Sequence, residues 1–145
     1  MFRRLIATSP NWATMPLRLA LGVIFFAHGA QKVLGSFEGP GLSGFTSIQA
    51  PFSFMRPSWL WLGAAAFSEF VGAILILLGL LTRVGTFFIA CTMLTAIAGV
   101  HWPNFFSSKH GLEFPLALFA AALSLLISGG GSLSVDQAMG GKRRK

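Results

Sequence analysis

The stretch LRLALGVIFFAHGAQKVLG, Leu17 to Gly35, decides how this chain folds. It is close to the ~20 apolar residues that a membrane-spanning helix needs. It also carries Arg18 near its start and His28, Gln31 and Lys32 near its end. A charge near the bilayer centre costs about 3 kcal/mol on insertion scales, so such groups sit at a helix end or face other helices. At about 100° per residue, Arg18, His28 and Lys32 fall within about 80° of one another, with Gly22, Phe25 and Gly29 on the same side. Small residues mixed with charge make a helix–helix contact rather than a lipid face.

The rest of the composition agrees. The 145 residues are 54% hydrophobic and 10% charged, with a mean hydropathy of +0.71, whereas soluble domains average about 25% charged residues. The formal charge of +7 does not indicate nucleic acid, because the basic residues flank apolar runs: Arg3 and Arg4 at one end, Lys142-Arg143-Arg144-Lys145 at the other. Such residues orient helices and attract anionic headgroups. The single cysteine, Cys91, lies in an apolar run and supplies neither a disulfide nor a CxxC pair. A cleaved leader is disfavoured, because His28, Gln31 and Lys32 stand where small neutral residues favour cleavage.

Read in order, residues 1–14 form a basic arm, with Thr14 as an N-cap and Pro16 in the first helical turn. Helices are predicted at about 15–35, 58–81, 84–101 and 111–128, together one domain over 15–137, with a basic tail over 138–145. Residues 36–57 are too long and too apolar for a plain turn and are expected to cap the bundle. Trp59 and Trp61 mark the start of the second helix as interfacial anchors. With the termini on one side, that side holds Arg3, Arg4, Arg18, Arg83 and the four tail residues, eight in all. The other holds three, Lys32, Arg56 and Lys109. The positive-inside rule then gives an all-α, four-helix transmembrane bundle, N-in and C-in.

This topology puts His28, Gln31 and Lys32 in the outer half, near His101 at the end of helix three and Glu113 at the start of helix four. Glu69 lies about 16 Å of helical rise below the outer end of helix two, too deep to be merely interfacial. These residues are the candidate site: Glu69, His28 and Lys32 for proton or hydrogen-bond chemistry, and His101, Glu113 and Gln31 for ligand contact. The alternative is a set of bundle clips, Lys32 with Glu69 or Glu113, since buried charges need partners in any case. Arg18, Arg83 and Asp136 are assigned to the opposite, cytoplasmic end as anchors. No HxxxH or ExxH spacing points to a metal, and no GxSxG elbow points to a hydrolase.

The residues also carry a resemblance. Arg18, Gly22, Phe26, His28-Gly29 and Lys32, then Glu69 and Gly72, Gly79-Leu80 with Thr82-Arg83, His101, and Ser134 with Asp136 after a glycine-rich stop resemble the DoxX family of small bacterial inner-membrane proteins over about residues 15–137. The resemblance implies four transmembrane helices and a role in membrane redox chemistry, the family taking its name from subunits of a thiosulfate:quinone oxidoreductase. It implies a quinone as cofactor and a second protein subunit or further copy as partner, in the lipid bilayer. The chain has no haem or flavin motif. A non-enzymatic accessory or scaffold subunit is therefore the alternative. A solute carrier is less well supported, because no inverted repeat is evident.

Overall fold

The computed structural model describes residues 5–141. Arg3, Arg4 and the basic run Lys142–Lys145 lie outside the described residues. Among the described residues there are only helices, turns and loops. In chain order the helices are α1 (Thr14–Leu34), α2 (Gly41–Thr46), α3 (Ser58–Leu78), α4 (Thr82–Ala96), α5 (Glu113–Ser128) and α6 (Val135–Gly141). A π-turn over Ile97–His101 prolongs α4, and a 3₁₀ turn spans Ser107–Lys109.

Local chemistry sets the boundaries. Pro16 falls in the first turn of α1, where a missing N–H costs nothing. Thr14 is not the cap expected of it. The Asn11 carboxamide accepts the Ala13 N–H at 2.9 Å, while the Thr14 hydroxyl donates to the carbonyls of Asn11 and Gly130. Helix α3 stops at Leu78 rather than at 81, because Gly79 adopts φ 65° and its N–H turns back to Ile76 and Leu75. That left-handed position favours glycine, and any side chain there would also meet Ser134 and the Arg18 guanidinium.

Helices α1, α3 and α4 with its π-turn are long and apolar enough to cross a membrane, while α5 is apolar but shorter, at 16 residues. The four pack around one core: Leu21 and Phe25 from α1, Ala73 and Ile76 from α3, Ile89 and Met93 from α4, and Leu118, Ala122 and Leu125 from α5. Their outward faces expose Val23, Phe67, Val71, Phe87 and Leu94. Apolar exposure on this scale belongs against lipid rather than water.

The closest approach is between α1 and α3. A Cβ placed on Gly29 would lie 2.5 Å from the Cα of Phe70. Gly72 and Gly85 bring α3 and α4 together in the same way. Small residues at such points let membrane helices gain van der Waals contact. Gly29→Ala should therefore push α1 off α3 and cost about 1–3 kcal/mol, as overpacking does. A fall in the SDS fraction needed to unfold the protein in mixed micelles would register it.

Candidate functional site

At one end of the bundle, α1 presents Lys32 one turn from its C-terminus, and α3 presents Glu69 midway along its length. The Lys32 Nζ donates to both carboxylate oxygens of Glu69, at 2.6 Å to Oε1 and 2.5 Å to Oε2. The carboxylate is sealed, with its side chain 3% exposed, while Lys32 keeps 23% of its side chain accessible. Among the described residues this is the only ion pair. In a low-dielectric interior, neither charge is tolerable without the other.

Residues 36–57 cover this end. Helix α2 rests on α1 and α3, and its Phe45 ring centroid lies 5.1 Å from the Lys32 Nζ, within cation–π range. Phe70, next to Glu69 in sequence, stacks on Phe26 of α1 at 5.5 Å. The Gln31 amide donates to the Phe37 carbonyl at 3.5 Å, a long contact within the α1–α2 turn. Further along, the Ser58 hydroxyl accepts the Ala50 N–H, and a Cβ on Gly99 would meet Pro51 and Phe52. The segment after α2 thus packs on the π-turn.

The other residues of the expected outer cluster stand apart from the pair. His28 lies exposed on α1, one turn before Lys32. The His101 Nδ1 lies 2.6 Å from the His110 carbonyl oxygen, and a Glu113 oxygen accepts the Ser107 N–H at 2.6 Å. His101 and Glu113 therefore brace the loop between the π-turn and α5. Among the described residues, no three His, Cys, Asp or Glu side chains converge.

At the opposite end, the polar groups knit the chain to itself. Arg18 donates from Nη1 to the Gly130 carbonyl at 2.7 Å and from Nη2 to that of Leu133 at 2.9 Å. Buried Asp136 accepts the Leu81 and Thr82 N–H groups at 2.8 and 2.9 Å, and its own N–H donates to Gly79. It thereby caps α4, a helix that starts 54 residues earlier. Arg83 donates to the carbonyls of Ala7 and Ile127. The capping of α4 by Asp136 and helix α6 itself were not read from the sequence. The signal for α6 was Ser134-Val-Asp-Gln137, a capping-box spacing in which the Ser134 hydroxyl accepts the Gln137 N–H at 3.1 Å.

An apolar helical bundle held by one buried ion pair, its opposite end tied by buried hydrogen bonds, defines an integral membrane protein. The chain belongs to the DoxX family, whose sequence profile matches residues 13–102. It is 32% identical over 123 residues to the protein named "Putative oxidoreductase CatD" of Bacillus subtilis (strain 168), which covers 85% of this chain and 84% of that one. No solved structure is a significant match.

Proposed function

We propose that this chain is a four-helix inner-membrane subunit, both termini cytoplasmic, that takes part in quinone-linked redox chemistry at the Lys32–Glu69 pair. The observation carrying this reading is the pair itself: a carboxylate sealed between two apolar helices and held by a partly accessible ammonium. The name of the Bacillus relative points toward oxidoreduction. The orientation follows from eight basic residues on one side against three on the other. The residues at the pair fit a quinone. An ammonium has three N–H donors and the carboxylate engages two, which leaves one for a ring oxygen. The Phe45 ring, 5.1 Å from the ammonium, offers an aromatic face beside it.

A bound quinone supplies a two-electron, two-proton couple. For this chemistry Lys32 orients a ring oxygen by hydrogen bonding, and Glu69 holds the countercharge and exchanges a proton with that side. The electron source is a partner subunit. The test is equilibrium binding of a short-chain quinone to the purified protein in detergent. Replacing the pair together, in Lys32→Met/Glu69→Met, should weaken binding about tenfold or more, the loss of a charged hydrogen bond. Binding equal to wild type would sink the proposal.

One observation favours a second reading, an accessory or scaffold subunit. The ammonium bridges both carboxylate oxygens, which is also how a purely structural clip is closed. Under that reading the double variant binds quinone as the wild type does, and the chain copurifies with a partner subunit from gently solubilised membranes.

A further inference from the structure

The segment above the ion pair has features that neither packing nor the redox reading explains. Helix α2 has six residues and none of them is buried. Its side-chain hydroxyls bond within the helix and the residue after it, Thr46 to the carbonyls of Leu42 and Ser43 and Ser47 to that of Gly44. It rests on α1 and α3 through half-buried residues and sets the Phe45 ring against the Lys32 ammonium. The connection from α1 is built of left-handed positions: Gly35 at φ 73°, Phe37 at 53°, Glu38 at 58° and Gly41 at 66°. Two of those are non-glycine residues, for which that region is sparsely populated. A short helix without buried residues, on a connection that holds unfavoured dihedrals, belongs to the low-stability end of a fold.

We propose that α2 is a lid over the Lys32–Glu69 pair, with Phe45 as its latch, and that it opens the pair to the aqueous phase on the α2 side of the membrane. The inference rests on the reading of that pair as the working site. Closed, the Phe45 ring holds the ammonium against Glu69 and keeps water from the carboxylate. Open, Lys32 is free to exchange protons with that aqueous phase, so the protons of the pair come and go on the side opposite the chain termini. Phe45 is a positioning residue: it acts on the site through the Lys32 ammonium.

The lid can be locked. A Cβ on Gly63 would lie 3.8 Å from Thr46 Cγ2 and meet no other atom within 4 Å, so α2 and α3 face each other here and Thr46→Cys/Gly63→Cys places two thiols across that gap. Cys91→Ser removes the native thiol. The readout is acylation of Lys32 by a membrane-impermeant amine reagent, measured by mass spectrometry against Lys109 in the exposed outer loop. Oxidation should slow Lys32 relative to Lys109 and reduction should restore it. Phe45→Ala, which needs no crosslink, should speed Lys32 about five-fold, the factor that a contact worth about 1 kcal/mol commands. If Lys32 reacts at its wild-type rate in Phe45→Ala, or in the oxidised pair, α2 is not a lid. Lid-dependent acylation without quinone binding would leave the lid standing and remove the quinone; quinone binding with lid-independent acylation would do the reverse.

Discussion

Glu69→Ala and Lys32→Met should each destabilise the folded protein by about 3 kcal/mol or more, and the double variant Lys32→Met/Glu69→Met should lose less than either. The reason is an asymmetry in burying charge. Removing one member of a buried pair leaves the other uncompensated, at about 3–5 kcal/mol, whereas replacing both with apolar side chains of similar volume is close to neutral. Here the carboxylate is 3% exposed and lies between α1 and α3 where they approach most closely. Lys32→Met strands an anion in that contact. Glu69→Ala strands a cation that is 23% exposed and two residues from the end of α1, so it can partly snorkel toward water. The larger loss is therefore expected for Lys32→Met. SDS-driven unfolding in mixed micelles measures all three. Additive losses in the double variant would mean that the two charges do not depend on each other, and the pair would be no unit at all.

How much of this was legible in the sequence depends on the range of the interaction involved. The three long apolar helices follow from hydropathy over about 20 residues, a local property, and Gly35 and Gly129 mark ends that the structure confirms at Leu34 and Ser128. The presence of Lys32 and Glu69 inside apolar helices is equally local, and one charge of each sign suggests a pair. The choice of partner is not local. Glu113 was as good a partner as Glu69 by sign and topology, yet it sits in the first turn of α5, where the Ser107 N–H claims it. His28 shares a helical face with Arg18 and Lys32 only to within about 80°, and that spread is enough to leave it at the bundle surface. The same limit hid Phe45, whose place over Lys32 depends on the positive φ angles of Gly35, Phe37, Glu38 and Gly41. It also hid the cap of α4, which comes from a residue 54 positions away.

Arg18→Met should be the most damaging change at the other end of the molecule, costing about 3 kcal/mol or more, and its effect should be concentrated in the last described residues. The guanidinium satisfies two carbonyls, Gly130 and Leu133, in the run that leads from α5 to α6. Hydrogen bonds from a charged donor contribute about 1.5–3 kcal/mol each, and buried acceptors left without partners add a desolvation cost. That run also carries Ser134 and Asp136, and Asp136 caps α4. Loss of Arg18 should therefore release α6 first and then weaken the start of α4, through a residue that Arg18 does not hydrogen-bond. Hydrogen exchange should rise at 131–141 and at Leu81 and Thr82, with the Lys32 end of the bundle unaffected. Asp136→Ala should reproduce the change at Leu81 and Thr82, at the ~1–2 kcal/mol of a lost cap, and leave the Gly130 and Leu133 contacts in place. If Arg18→Met instead raises exchange evenly along all four long helices, Arg18 supports the bundle as a whole, and the C-terminal run is not the element it holds.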